Sequence, residues 1–116
     1  MPGNEGRRPE RVAEALLREI SSWLRRDLKD PRLRGVTLTQ VKLSPDLRQA
    51  RVFFSHLEGA ARAADAVAGF RSASGFIRQK IGRELGLRYS PQLDFEFDSS
   101  GEHAARIDAL LRKLAP

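Results

Sequence analysis

The sequence predicts an α+β fold, in the order α-β-β-α-α-β-α, with a three-stranded mixed sheet and helices on one of its faces. Three observations carry this. An amphipathic stripe opens the chain, two runs rich in Val, Thr and Phe flank the turn tripeptide Ser44-Pro45-Asp46, and a strictly alternating run follows a long helical stretch. A hairpin is antiparallel, whereas a strand reached through a helical crossover returns parallel, so the sheet is mixed. At 116 residues with 41% hydrophobic content, the chain fits one domain with a modest core.

Residues 1–8 hold Pro2, Gly3 and Gly6 without apolar periodicity and are read as a flexible arm before a single domain over 9–116. From Pro9 to about Leu28, Val12, Leu16, Ile20, Trp23, Leu24 and Leu28 form one helical stripe, with Arg11, Arg18, Arg25 and Arg26 largely off it. Asp30-Pro31 ends this helix, because proline disfavours a helical residue before it. Val36 to Leu43 and Gln49 to Leu57 are the two strands of the hairpin. Strict alternation would place Val36 and Leu38 opposite Val41 and Leu43, so a bulge or two partly covered faces is expected in the first strand.

Ala60 to Ala73 and Phe76 to Leu85 carry helical spacing on either side of Ser72-Ala73-Ser74-Gly75, where small residues and a glycine predict a kink or short break. Gly86 fits a left-handed cap. Leu93, Phe95 and Phe97 alternate with Asp94, Glu96 and Asp98, a strand with one buried face. Ser100 then caps a last helix with its stripe at Ile107, Leu110, Leu111 and Leu114, expected to cover apolar surface.

The chain carries 21 Lys and Arg against 15 Asp and Glu, a net charge of +6, so its field attracts polyanions and nucleic acid leads the candidate partners. No cysteine is present, which removes disulfides, thiolate metal sites and cysteine nucleophiles and suits a reducing compartment. No signal segment or membrane-length apolar run occurs, so a cytoplasmic location is expected.

The cations gather between Arg71 and Arg88. Arg71, Arg78, Lys80, Arg83 and Arg88 stand there against the single acid Glu84, around the expected break. A break exposes backbone N–H groups at the start of the second helix, and small side chains at Ser72, Ala73, Ser74 and Gly75 let a phosphate backbone approach. These nine residues are the candidate RNA-binding site. A plainer reading also fits: small residues letting two helices cross closely, with the arginines as a solvated face. Phe53 and Tyr89 are candidates for stacking on unpaired bases.

Other chemistry finds little support. Asp94, Glu96 and Asp98 share one strand face but read as its wet side, and His56 and His103 lack any ligand motif, so no metal is expected. Neither a nucleophile elbow nor a nucleotide-binding glycine loop occurs, so neither an enzyme nor a cofactor is expected.

With these elements in place, the chain resembles the ribosome-binding factor A family over about Arg11 to Asp98. The resemblance is carried by Arg11-Val12, Glu19-Ile20, Asp30-Pro31-Arg32, Val36-Thr37, Ser44-Pro45-Asp46-Leu47 and Ala50-Arg51-Val52. Ser72-Ala73-Ser74-Gly75-Phe76-Ile77-Arg78 and Leu87-Arg88-Tyr89-Ser90-Pro91 complete it. It implies a type II KH-like domain in which Ala73-Ser74-Gly75 is an interhelical kink, standing where other KH domains have the loop that clamps RNA backbone. It further implies binding to the immature 30S subunit and 16S rRNA, a role in late processing at the 5′ end of that RNA, and importance in the cold. A monomer with no membrane or small-molecule partner is expected. Two rivals are a helix-turn-helix DNA-binding protein, built on the helices around Gly75, and a protein-interaction module using an apolar sheet face.

Overall fold

A computed structural model describes residues 2–100 and 112–113 of the chain. Its elements are α1 (Pro2–Arg26), a 3₁₀ turn (Pro31–Leu33), β1 (Val36–Leu43), β2 (Gln49–His56), a second 3₁₀ turn (Gly59–Arg62), α2 (Ala63–Leu85) and β3 (Gln92–Phe97). The backbone of residues 2–8, read as an arm from the sequence, continues α1, and Pro9 lies inside that helix rather than in its first turn. Apolar periodicity reports contact with a core, and the residues between Pro2 and Pro9 contain no large apolar side chain to report it. At the other end the helix stops at Arg26, and Asp27 and Leu28 both donate to the Trp23 carbonyl, at 2.8 and 2.9 Å.

The hairpin is antiparallel and β3 lies parallel to β2, giving the mixed order β1-β2-β3. The register of β1 shifts between Leu38 and Gln40. That bulge at Thr39 resolves the alternation conflict, because it lets Leu38 and Val41 both enter the core. The tight turn is fixed by Ser44 and Asp46: Ser44 Oγ donates to Asp46 Oδ1 at 2.7 Å and accepts from the Gln49 N–H at 3.0 Å. Leu47 supplies the left-handed residue, at φ 63°.

The two helices cover one face of the sheet. Leu16, Ile20 and Trp23 from α1 and Phe70, Ile77 and Ile81 from α2 are fully buried with Ala50, Val52 and Phe54 of β2. Phe70 stacks on Phe95 of β3 with ring centroids 4.1 Å apart, and Phe54 meets Phe70 and Phe97 at 5.5 and 5.9 Å, an aromatic cluster that ties α2 to the sheet centre.

The expected break does not occur: the two helical pieces flanking Ser72-Ala73-Ser74-Gly75 are a single helix, α2, uninterrupted at Gly75. A glycine costs a helix interior only about 1 kcal/mol relative to alanine. Burial of Ala66, Phe70, Ile77 and Ile81 on one continuous stripe outweighs that cost. Helix α2 does end where expected, at Gly86 with φ 62° and ψ 24°.

After β3, residues 99–100 are helical and the Ser100 N–H donates to Asp98 Oδ1 at 2.9 Å, so Asp98 takes the capping role expected of Ser100. The apolar stripe expected of this last helix, Ile107, Leu110, Leu111 and Leu114, lies outside the described residues, as does His103.

Candidate nucleic-acid interface

A continuous α2 changes the chemistry available at Gly75. Inside an uninterrupted helix the N–H groups of residues 74–76 face the carbonyls four residues back, so they are not free to meet a phosphate. Any contact with an anionic backbone falls to side chains and to the close approach that missing side chains permit.

Helical geometry sorts the candidate residues. At 3.6 residues per turn, Arg71, Gly75, Arg78 and Gly82 fall on one stripe, about 110° round the helix from buried Phe70, Ile77 and Ile81. All four are exposed, and a methyl group added at Gly75 or at Gly82 would meet nothing within 4 Å. The stripe is thus two bare stretches of backbone flanked by two arginines about 10 Å apart along the axis. Neither guanidinium pairs with a carboxylate among the described residues.

The other candidates are not all brought to it. Ser72 is exposed beside the stripe, and its Oγ accepts from Arg32 Nη2 at 3.1 Å. Ser74 Oγ donates to the Arg71 carbonyl at 2.9 Å, a bond within the helix that leaves the hydroxyl less available to a ligand. Ala73 is half-buried against the core. Arg83 is exposed but about 120° round the helix from Arg71. Arg88 lies beyond the Gly86 cap, its guanidinium 5.6 Å from the ring centroid of Tyr89, which is 72% exposed.

Lys80 faces the wrong way. Its ammonium sits 3.4 Å from Asp27 and 3.6 Å from Glu84, and over the rings of Trp23 and Phe76 at 5.8 and 5.6 Å. It joins α2 to the end of α1 rather than belonging to the exposed stripe.

Arg32 is a cation absent from the nine candidates the sequence suggests. Asp30 caps the 3₁₀ turn Pro31–Leu33 by accepting from the Arg32 N–H at 2.9 Å, and the Arg32 side chain returns to the same carboxylate, Nη2 to Oδ2 at 2.6 Å. These hydrogen bonds hold the Asp30 carboxyl below the usual carboxylate range and push the Arg32 guanidinium up. The turn packs on Gly69, where a Cβ would lie 3.0 Å from Leu33 Cδ2 and 3.2 Å from Arg32 Cβ. The signal was available, since a cap, a proline and an arginine in succession describe a rigid turn able to aim a guanidinium.

On the far side of the sheet, Phe53 is half-buried beneath Arg51 and Lys42, whose charged ends lie 5.1 and 5.6 Å from its ring centroid. Arg51 also pairs with Glu96 at 2.7 Å, and Thr39 Oγ1 donates to Asp98 at 2.6 Å. The ring is therefore already covered, and Glu96 and Asp98 engage their own neighbours. His56 is a structural residue: Nδ1 accepts from the Glu58 N–H at 3.0 Å and the ring packs on Gly35. Among the described residues no three metal-ligating side chains converge, and no helix is long and apolar enough to cross a membrane.

Comparison with known proteins agrees with this architecture. The family model for ribosome-binding factor A matches residues 8–111. A ribosome-binding factor A from Desulfitobacterium hafniense is 43% identical over 105 residues, 90% of this chain and 84% of that one. One from Syntrophobacter fumaroxidans is 43% identical over 113 residues, 95% of this chain and 96% of that one. Among solved structures, the crystal structure of ribosome-binding factor A from Thermus thermophilus aligns with a TM-score of 0.69 at 22% identity, covering 77% of this chain and 93% of that one. A homology model of the Thermus thermophilus factor, fitted into a cryo-EM map of a complex with the 30S subunit, aligns with a TM-score of 0.51 at 24% identity, covering 70% and 89%. By its elements, its motifs and these matches along nearly its whole length, the chain belongs to the ribosome-binding factor A family.

Proposed function

We propose that this protein binds the small ribosomal subunit during its assembly by laying the exposed stripe of α2 against 16S rRNA. The observation that carries this is the pairing of two bare glycines, Gly75 and Gly82, with two arginines unpaired among the described residues, Arg71 and Arg78, on one exposed helix face. Bare backbone admits a bulky sugar-phosphate chain, and guanidinium groups match phosphate oxygens. Ser72, Arg83 and Arg88 flank the contact, while Ala73, Ser74 and Lys80 support the helix that presents it. Support from outside the chain comes from the Thermus thermophilus factor, whose coordinates were fitted into a map of a 30S complex.

No covalent step and no cofactor belong to this reading. A protein that holds an RNA segment by its phosphates lowers the energy of one local arrangement and so delays its rearrangement. As the family resemblance implies, the segment held is that needed in late maturation, including processing of the 16S rRNA 5′ end. Cold lengthens the lifetime of misfolded RNA by slowing escape over its barriers, which makes such a holder most useful at low temperature. The protein works in the cytoplasm as a monomer.

The test is cosedimentation with purified 30S subunits. Replacing Arg71 and Arg78 by Gln lowers affinity about tenfold or more while leaving the folding transition in place, since both side chains are exposed. Unchanged affinity of a folded double variant would remove α2 from the interface.

A further inference from the structure

Helix α1 carries a second set of arginines. Arg11, Arg18 and Arg25 recur every seven residues, so they drift only about 20° per step and form a straight ridge roughly 20 Å long. All three are exposed, on the pole of the helix opposite buried Ala13, Leu16, Ile20 and Trp23.

Their pairing is the informative part. Carboxylates engage four cations of the fold, Arg32 with Asp30, Arg51 with Glu96, Arg62 with Glu58 and Asp65, and Lys80 with Asp27 and Glu84, and the ridge arginines, like Arg71 and Arg78, are not among them. On α1, Glu14 stands four residues before Arg18, the spacing that favours an ion pair, yet no such pair forms. Among the described residues none of the three ridge arginines has a carboxylate partner. Both helices pack on the same sheet face and meet where Lys80 reaches Asp27, so the α1 ridge and the α2 stripe both belong to the helical side of the molecule.

We propose that Arg11, Arg18 and Arg25 form a second contact ridge that grips backbone phosphates of the same RNA that α2 touches. This rests on the RNA-binding reading given above and enlarges it. A KH groove clamps about four nucleotides, whereas a ridge of this length on α1, set apart from the α2 stripe, engages a folded RNA element through backbone positions well separated along its surface. The ridge reads no bases, because guanidinium groups on exposed helix positions meet phosphates by charge and geometry alone.

The experiment measures the dissociation constant for 30S subunits across a series of KCl concentrations. Four proteins are compared: wild type, the α1 variant Arg11→Gln/Arg18→Gln/Arg25→Gln, the α2 variant Arg71→Gln/Arg78→Gln, and a charge-matched control, Lys29→Gln/Arg34→Gln/Arg48→Gln. Glutamine keeps helix propensity, and circular dichroism checks that each variant folds. The expected result is a log–log salt slope shallower by about 2 to 3 in the α1 variant, with affinity near physiological salt down at least tenfold. The control should stay within about twofold of wild type. An α1 variant that keeps the wild-type slope and affinity while the α2 variant weakens overturns the ridge and leaves the proposed function standing. If α1 and control variants weaken equally, net charge is responsible and the ridge is again overturned. Wild-type behaviour of both the α1 and the α2 variants would remove the RNA-contact reading itself.

Discussion

Arg32 joins Ser72 across forty residues of sequence, its Nη2 donating to the serine Oγ at 3.1 Å while the same guanidinium holds Asp30 at 2.6 Å. The link anchors the turn before the hairpin to the helix that presents the proposed interface. Its strength depends on Asp30 being ionised. Hydrogen bonds from the Arg32 side chain and N–H depress the Asp30 pKa in the folded protein. The stabilisation is therefore fully present above the unfolded carboxylate pKa, about 3.9, and disappears as pH falls through the lower folded value. Thermal melts of wild type and Asp30→Ala should differ by a constant amount near neutral pH and converge below about pH 4. A difference that persists unchanged at pH 2.5 would mean the carboxylate charge contributes nothing.

Gly69 is the point where that turn presses on α2. Alanine there would gain helix propensity of about 1 kcal/mol, but its Cβ would sit 3.0 Å from Leu33 Cδ2 and 3.2 Å from Arg32 Cβ. Overpacking of this kind costs ~1–3 kcal/mol, and Leu33 is buried with little room to yield. Gly69→Ala should thus lower the urea midpoint, whereas alanine at exposed Gly82 should raise it.

Lys80 and Arg78, two residues apart in α2, should separate stability from binding. Lys80→Ala removes an ion pair with Asp27 and a cation over Trp23, partly shielded contacts together worth about 0.5–1.5 kcal/mol. Its effect should appear in the melting temperature, with 30S affinity changed less than about twofold. Arg78→Ala should do the reverse, because the guanidinium has no carboxylate partner among the described residues and lies on the exposed stripe. Equal effects of the two substitutions on affinity would argue for a general field rather than an oriented face.

Much of the fold was legible because each strand carried its own punctuation. Ser44-Pro45-Asp46 marked the turn, the phase conflict between Leu38 and Val41 announced the bulge, and Leu93, Phe95 and Phe97 declared their buried face. The continuity of α2 was not legible, because local propensity at Ser72 to Gly75 argues for a break, and only the burial of Phe70 and Ile77 on one stripe overrides it. The site was half legible. Clustered cations pointed to the helix proposed as the interface, but sorting Lys80 from Arg78 required knowing which side α1 occupies. Arg32 stayed hidden because its partner Ser72 is distant in sequence.

If Gly75 and Gly82 are kept bare for close approach of RNA at the expense of helix stability, filling both positions should separate the two properties. The double variant Gly75→Ala/Gly82→Ala does this cleanly, since the added methyl groups meet no protein atom within 4 Å. Each alanine should stabilise α2 by about 0.5–1 kcal/mol. The expected outcome is a higher melting temperature together with a loss of 30S affinity of roughly fivefold or more. A stabilised variant that binds 30S subunits as tightly as wild type would show that RNA does not approach the helix at these glycines.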